Sequence, residues 1–205
     1  KTLAILGRTG SGKTTVINLI ARLFDPISGD ILIDGIPIKE VNLFDLRDSI
    51  GFVPQDAFLF SDTIRNNIKI GKQDATEEEV IQAAKDAYID HNIQEFSKKY
   101  DTLIGERGVT LSGGQKQRIS IARALISEPK ILIFDDCLSA VDTETEEIIL
   151  NNLNRVKEGK TTIIVSHRPS SVKNADKIIV LQEGQIVQRG THDTLINISG
   201  YYQDI

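Results

Sequence analysis

Unbroken apolar runs alternate along the chain with segments whose apolar residues recur at helical spacing. The runs at residues 2–6, 130–134 and 161–165 are short and rich in branched aliphatic residues, which is typical of buried strands. Residues 15–24 predict a helix that ends before Asp25-Pro26, and residues 116–126 predict another helix with one apolar face. This alternation predicts an α/β fold with a parallel sheet.

Two shorter patterns complete this outline. Thr76 and Glu79 have the spacing of a capping box, which predicts that a helix begins there. Residues 177–181 and 185–189 have the pattern of two strands, and the Glu183-Gly184 pair between them is typical of a tight turn. We therefore expect a β-hairpin near the C-terminus.

The turn between the first strand and the first helix carries the clearest chemical signal. It matches the pattern G-x-x-x-x-G-K-[ST] in full, with the residues Gly7, Arg8, Thr9, Gly10, Ser11, Gly12, Lys13 and Thr14. The glycines let several backbone N–H groups point at phosphate oxygens, and the helix N-terminus adds positive partial charge. We expect Lys13 to reach the β- and γ-phosphates of a nucleotide and the Thr14 hydroxyl to ligate Mg²⁺.

Polar residues follow the two later strands. Asp135 and Asp136 come directly after the run at 130–134, and His167 lies two residues after the run at 161–165. The carboxyl ends of parallel strands meet at one edge of a sheet, so these side chains are expected near the phosphate loop. Asp135 is the predicted partner of Mg²⁺, direct or indirect, and Asp136 the group that faces an attacking water. His167 is predicted to contact a γ-phosphate or to hold that water.

A second helix start with glycines lies at Ser112, Gly113, Gly114 and Gln115. Serine is a good N-cap, so a purely structural role explains this segment. The N-terminus of the helix also favours a phosphate, which makes the same residues a second candidate anion site. The residues alone leave both interpretations open.

Composition restricts the classes of function. The chain has 205 residues, of which 40% are hydrophobic, and this is enough for one domain with a sizeable core. Its formal charge of −5, with both signs interspersed, offers no broad cationic face for nucleic acid. The single cysteine, Cys137, cannot form an internal disulfide, and no apolar stretch reaches the roughly 18 residues of a membrane span. We expect an intracellular enzyme domain that does not itself insert into a membrane.

Six segments together resemble the nucleotide-binding domain of ATP-binding cassette (ABC) transporters. In the order of that family they are GRTGSGKT, VPQD with Gln55, LSGGQ, ILIFDD, SAVD ending at Asp142, and VSH ending at His167. The resemblance implies a P-loop NTPase fold, whose RecA-like parallel-sheet core comes from about residues 1–57 and 128–205 of this sequence. It implies a helical subdomain inserted at about residues 58–127.

The resemblance also assigns roles at the site. It implies two such domains, identical or different, that bind head to tail around ATP and Mg²⁺. Ser112, Gly113 and Gly114 of one subunit would then contact the γ-phosphate on the other. The implied nucleotide-binding residues are Gly7 through Thr15, Ser112 through Gln115, and Asp142. The implied Mg²⁺ ligands are Thr14, Gln55 and Asp135, and the implied catalytic residues are Lys13, Gln55, Asp136 and His167.

Two segments are similar to those of exporter-type members. They are residues 55–68, which include Phe58, Leu59 and Phe60, and residues 102–108 ahead of LSGGQ. In exporters these segments touch the transmembrane helices, which implies a transmembrane partner in the same polypeptide and a place at the cytoplasmic face of the inner membrane. A plain hydrophobic core is the other explanation of the three apolar residues.

Two departures from the family pattern lead to alternatives. The family stacks adenine on an aromatic residue well upstream of the phosphate loop, and only six residues precede Gly7, so the sequence is expected to be an excerpt of a longer chain. Asp136 stands where the family usually has glutamate, and its side chain reaches less far. The leading hypothesis is therefore an exporter ATPase, and the alternatives are a low-turnover ATP clamp in a heterodimeric exporter and a cassette ATPase that acts on nucleic acid or ribosomes.

Overall fold

A computed structural model describes residues 1–105, 109–156 and 159–205 of the chain. The strands are β1 Thr2–Leu6, β2 Leu32–Ile33, β3 Ile36–Pro37, β4 Ile50–Val53, β5 Ile131–Asp135, β6 Thr161–Val165, β7 Lys177–Gln182 and β8 Gln185–Gly190. The α-helices are α1 Lys13–Ile20, α2 Leu43–Asp48, α3 Ile64–Lys69, α4 Glu77–Asp86, α5 Asp90–Glu95, α6 Gly113–Leu125, α7 Thr143–Val156, α8 His192–Leu195 and α9 Tyr201–Asp204. Short 3₁₀ turns occupy Ile38–Glu40, Lys99–Asp101 and Pro169–Ser171.

The described strands form a six-stranded sheet in the order β4-β5-β6-β1-β7-β8, and β2 and β3 form a separate two-stranded sheet. The pairs β5–β6, β6–β1 and β1–β7 are parallel, and β7–β8 is antiparallel. Ala4, Ile5 and Leu6 of β1 have no exposed surface, as expected for a central strand that is buried on both faces. The predicted α/β fold with a mostly parallel sheet is therefore confirmed.

Contacts divide the described chain into two compact units. The first unit comprises Lys1–Gly51, Lys130–Asp135 and Thr161–Ile205, and the second comprises Phe52–Pro129 and Asp136–Lys160. The second unit therefore contains residues 136–160, which the sequence-based division assigned to the sheet core. They group with the helices because α7 packs on α4, where the Asn152 side-chain amide donates to the Lys85 carbonyl at 3.4 Å. As a domain boundary, the division at about residues 58 and 127 stays a prediction.

The second unit is organised around α6. Ile119, Ile121 and Ala122 of this helix are almost fully buried. Gly71, which follows α3, lies so close to α6 that a Cβ at this position would collide with the carbonyl oxygen of Arg123 and lie 2.7 Å from Cγ2 of Ile126. A residue without a side chain is therefore required for α3 to approach α6 this closely.

Local signals in the sequence predicted some element boundaries correctly and missed others. The capping box is confirmed, because the Glu79 N–H donates to Thr76 Oγ1 at 3.3 Å and the Thr76 N–H to Glu79 Oε2 at 2.8 Å. The hairpin turn is confirmed as well, with φ of 50° at Glu183 and 77° at Gly184. The predicted C-terminal end of the first helix, at residue 24, is wrong. The helix ends at Ile20 because Arg22 adopts a left-handed φ of 50°.

Within the ranges that the structure describes, no helix combines the length and the apolar character needed to span a bilayer.

We predict that Gly71→Ala destabilises the chain by about 1–3 kcal/mol, because the added methyl group must push α6 away from α3. Equilibrium unfolding in urea measures this free energy. Gly113→Ala is the matched control, because a Cβ there would meet the Ala140 Cβ at an ordinary 3.7 Å. Alanine also favours a helix by about 1 kcal/mol over glycine. If Gly71→Ala were as stable as the wild type, the close approach of α3 to α6 would not constrain residue 71.

Candidate functional site

The phosphate loop connects β1 to α1 in the first unit. Its conformation depends on glycine, because φ is 153° at Gly7, 80° at Gly10 and 100° at Gly12, a region that L-residues rarely adopt. A side chain at Gly7 would also collide with the carbonyl oxygen of Leu181 on β7. The loop is fixed to the hairpin turn by the Gly184 N–H, which donates to the Ser11 carbonyl at 3.0 Å. The loop is therefore curled and anchored by its own backbone.

Lys13 is the first residue of α1 and is 6% exposed. Its Nζ donates to the Gly7 carbonyl at 2.7 Å and to the Arg8 carbonyl at 2.9 Å. These are hydrogen bonds from a cation to neutral dipoles, which are weaker than hydrogen bonds to anionic oxygens. A phosphate at the loop would therefore compete well for the same ammonium group.

A buried hydroxyl is a further observation that fits a ligand at this loop. Ser11 is 5% exposed, and its Oγ has no hydrogen-bond partner in the part of the chain that the structure describes. A buried hydroxyl without a partner costs free energy, which a ligand contact would remove. The side of the loop formed by Arg8 to Ser11 also opens into a cleft of about 410 Å³, which Glu183, Tyr201 and Asp204 line as well.

Asp135 lies at the end of β5, two strands away from β1 in the sheet. Its side chain is buried, and its Oδ2 lies 3.4 Å from Oγ1 of Thr14 in the first turn of α1. The fold therefore brings together the hydroxyl and the carboxylate that the sequence predicted as neighbours. Two oxygen donors side by side are the type of group that Mg²⁺ prefers. In the described residues no cluster of three or more His, Cys, Asp or Glu side chains could hold a metal by itself.

His167 follows β6, which lies between β5 and β1. The residue before it shapes the turn. Ser166 Oγ accepts a hydrogen bond from the Arg168 N–H at 2.9 Å and lies 3.3 Å from Oγ of Ser171. This serine holds the backbone on both sides of His167, a positioning role that the sequence did not indicate.

The second unit contains the other glycine-containing helix start, at the N-terminus of α6. The Gln115 N–H donates to Ser112 Oγ at 3.2 Å, and the Ser112 N–H donates to Gln115 Oε1 at 2.9 Å. Gln115 therefore completes a capping box, which supports the structural interpretation of this segment. Ser112 and Gly113 remain exposed, so the helix N-terminus is also open to an anion.

The turn that ends at Asp142 packs on these glycines. A Cβ at Gly114 would lie 3.2 Å from both the Ala140 carbonyl oxygen and Cγ1 of Val141. Asp142 caps α7, because its Oδ1 accepts the Thr145 N–H at 2.9 Å. Hydrogen bonds from Thr145 hold the pKa of Asp142 below its usual value, and the charge of Arg118 adds to this effect. The carboxylate is thus ionised and fixed in direction.

Gln55 and Asp136 also belong to the second unit. The Gln55 side chain is exposed, while its carbonyl accepts a hydrogen bond from Nε2 of Gln117 on α6, a contact that the sequence did not predict. Asp136 follows β5 with a left-handed φ of 46°. Its carbonyl accepts from Ser139 Oγ at 2.8 Å, which closes the turn after the strand. The roles of Gln55, Asp136, His167 and Asp142 stay predictions.

The exporter-type segment at 102–108 is described only in part. Glu106, Arg107 and Gly108 lie outside the described residues.

Comparisons with known proteins agree with this geometry. A family model described as "ABC transporter" matches residues 1–139. The chain is 50% identical over its whole length to the probable multidrug resistance ABC transporter ATP-binding/permease protein YheI of Bacillus subtilis, and spans 35% of that protein. It is 51% identical to ABC transporter B family member 19 of Arabidopsis thaliana and spans 16% of that protein.

A solved structure supports the same relationship. The structure of a bacterial Atm1-family ABC exporter with ATP bound superimposes with a TM-score of 0.95 at 45% identity. The match covers 99% of this chain and 36% of that one. The chain thus spans about a third or less of the length of these relatives.

We predict that Lys13→Ala raises the Kd for ATP at least about tenfold, because the ammonium group lies against the loop carbonyls of Gly7 and Arg8 and charged hydrogen bonds contribute roughly 1.5–3 kcal/mol. Titration with a fluorescent ATP analogue measures the affinity. Lys39→Ala is the control, since Lys39 contacts only the Pro26 carbonyl among the contacts described, at 3.4 Å. Equal affinity of wild type and Lys13→Ala would exclude the phosphate loop as the nucleotide site.

Proposed function

The chain belongs to the ABC transporter family, and on this premise we propose that it is the ATP-hydrolysing motor domain of a membrane exporter. The observation that carries the proposal is the phosphate loop, in which a glycine-dependent curl, Lys13 and the Thr14–Asp135 pair come together in one unit. This arrangement combines a nest for a polyanion with oxygen donors for its metal ion. Two of the relatives named above are described as an ATP-binding/permease protein and as an exporter.

The residues present fit ATP with Mg²⁺. The backbone N–H groups of the loop, from Gly7 to Thr15, would hold the phosphates, and the unpartnered Ser11 hydroxyl lies in the same loop. Thr14 and Asp135 would hold Mg²⁺, and the family resemblance implies Gln55 as a further ligand. When bound, the metal neutralises charge on the β- and γ-phosphates during phosphoryl transfer.

In the proposed mechanism the side chains of the chain orient the phosphate and the water. Lys13 exchanges its two carbonyl acceptors for phosphate oxygens and so stabilises the charge that develops on them. Asp136 acts as the general base that takes the proton of the attacking water. His167 hydrogen-bonds the γ-phosphate, and the Ser166 turn fixes the backbone next to it.

A second copy of the domain, or a related one, would complete the site. The exposed Ser112 and Gly113 sit at the N-terminus of α6, where no acidic residue occupies the first turn. We propose that this end of one subunit contacts the γ-phosphate held by the phosphate loop of the other. Asp142, fixed by its cap to Thr145, would reach across the same interface.

An apolar surface on the second unit is the proposed contact for a transmembrane domain. Phe58, Phe60, Leu103 and Val109 are each at least 40% exposed. Some of them border a cleft of about 260 Å³, whose lining includes Ala57, Phe58, Leu59, Ile104 and Val109. Phe58 contacts Phe60 and lines the same cleft as Val109, and adjoining exposed apolar groups of this kind mark an interaction surface. The longer relative named as an ATP-binding/permease protein supports a permease in the same polypeptide, with this domain at the cytoplasmic face of the membrane.

One alternative has a specific observation behind it. Asp136 is shorter than the usual glutamate, which favours a clamp that binds ATP and turns over slowly, with the competent site on a partner domain. Nothing in the comparisons favours an ATPase that acts on nucleic acid or ribosomes, since the relatives described are transporters.

We predict that Gly114→Asp prevents ATP-dependent dimerisation, because it places a carboxylate where the partner's γ-phosphate would bind. Size-exclusion chromatography with ATP and Mg²⁺ measures the dimer. The control is Gly114→Ala, which adds the same Cβ next to Ala140 without the charge, so a difference between the two variants isolates electrostatic repulsion. If Gly114→Asp dimerises as well as Gly114→Ala, the head-to-tail arrangement is wrong.

We predict that Asp136→Glu raises the ATPase rate about tenfold, equivalent to about 1.4 kcal/mol of barrier, because a longer side chain brings the base closer to the water. Asp136→Asn keeps the shape but removes the base, and should abolish turnover while leaving ATP binding intact. Single-turnover hydrolysis measures both rates. If neither variant changes the rate, Asp136 is not the base and the slow clamp becomes the better description.

A further inference from the structure

Arg123, in the last turn of α6, holds a segment far from it in sequence. Its Nε donates to the Asn67 carbonyl at 2.8 Å, Nη2 to Oδ1 of Asn67 at 3.0 Å, and Nη1 to the Phe58 carbonyl at 2.9 Å. The guanidinium carbon also lies 5.9 Å from the centroid of the Phe60 ring, within the range of a cation–π contact. A single side chain therefore contacts residues 58, 60 and 67.

Asn67 extends this contact to the backbone of Phe60. Asn67 has no exposed surface. Its Oδ1 accepts the Phe60 N–H at 2.9 Å, and its Nδ2 donates to the carbonyls of Phe60 and Thr63, both at 3.0 Å. The amide group thus satisfies Phe60 on both sides, as a neighbouring strand would.

The arrangement fixes a loop whose side chains point to the outside. Phe58 is 63% and Phe60 50% exposed, and their rings meet edge to face with centroids 4.9 Å apart. Burial lowers the pKa of Arg123, and in the described ranges this arginine forms no ion pair with a carboxylate. Burying a cation without an anionic partner costs free energy of desolvation. The hydrogen bonds of Arg123 to carbonyl and amide oxygens must offset this cost, which ties the guanidinium group to the backbone that it holds.

The same helix carries the proposed nucleotide contact at its other end. α6 has 13 residues and begins at Gly113, directly after Ser112. It is about 20 Å long at a rise of 1.5 Å per residue. Between the two ends of α6, Nε2 of Gln117 donates a hydrogen bond to the Gln55 carbonyl. Side-chain hydrogen bonds thus join the helix both to Gln55 and to the loop that carries Phe58 and Phe60, called the aromatic loop below.

We infer that Arg123 is a positioning residue, which holds the Phe58–Phe60 loop, through Asn67, in the conformation that contacts the transmembrane partner. The contact with that partner rests on the proposed function, whereas the positioning of the loop rests on the hydrogen bonds alone. Lysine is not an adequate replacement, because an ammonium group cannot bond two carbonyls and an amide oxygen with the fixed geometry of a guanidinium.

The first test measures the loop directly by hydrogen exchange of the 205-residue chain. We expect Arg123→Gln to raise the exchange rate of the Phe60 amide at least about tenfold, and Arg123→Lys to raise it less. The Val16 amide, which donates to the Gly12 carbonyl in the first unit, should be unchanged. Arg65→Gln is the matched control, since Arg65 lies on the neighbouring α3 but bonds Asp101 and Glu77 instead of the loop.

The second test uses the complete protein that contains this chain, in vesicles of phosphatidylethanolamine and phosphatidylglycerol. We expect Arg123→Gln and Phe60→Ala each to lower kcat for ATP about fivefold, with KM for ATP within about twofold of the wild type. The double variant should be no slower than Phe60→Ala, because both changes act on the same loop. A residue that only supports the fold would instead lower kcat further in the Phe60→Ala background, or change KM.

The outcomes separate the two proposals. Unchanged exchange at Phe60, or losses in kcat that multiply, would overturn the role of Arg123. If exchange rises but Phe60→Ala leaves kcat unchanged, the transmembrane contact in the proposed function fails, and the loop is positioned for another purpose. If Arg123→Gln does not fold, Arg123→Lys takes its place. If both variants unfold, Arg123 supports the whole unit and the inference is wrong.

Discussion

The parallel pairing of β5, β6 and β1 is the constraint on which the candidate site depends. Val165 at the end of β6 is in register with Ile5 on one side and Asp135 on the other, so the three strands end at nearly the same level. The phosphate loop, Asp135 and His167 therefore start from one edge of the sheet. A shift of one residue would turn each side chain to the opposite face and separate Asp135 from Thr14. The short apolar runs make these strands easy to recognise, because strands that are buried on both faces are apolar along most of their length.

Contacts within the chain hold the phosphate loop in its curled shape. Glycines adopt the left-handed turns, the Gly184 N–H anchors the Ser11 carbonyl, and Lys13 bonds two carbonyls of the same loop. A bound phosphate would then take the place of these two carbonyl contacts of the lysine, while the backbone stays as it is. Such preorganisation reduces the entropy that binding must overcome. The unpartnered hydroxyl of Ser11 indicates that this loop is not complete by itself.

The sequence predicted those elements whose signal lies within a few residues. It did not predict features that depend on contacts between residues far apart in the chain. The strands β1, β5 and β6, the capping box at Thr76 and the turn at Glu183 were all predicted, because periodicity and turn chemistry act within a few residues. The end of α1 was predicted four residues too late, since nothing in the apolar pattern signals the left-handed Arg22. The contacts from α6 to the aromatic loop join residues 56 or more positions apart. Arginine and asparagine in these places look like ordinary surface residues in the sequence.

At residue 136, the effect of the backbone conformation can be distinguished from the effect of side-chain length on catalysis. Aspartate adopts a left-handed backbone more readily than most residues. The φ of 46° at residue 136 could therefore explain why aspartate stands there instead of glutamate. Two glutamates argue against this reason, because Glu128 and Glu183 both adopt a φ of 50° in the same chain. A φ of this size is therefore open to glutamate as well as to aspartate. A change in the ATPase rate on Asp136→Glu would then reflect the reach of the carboxylate. It would not reflect strain in the turn that Ser139 closes.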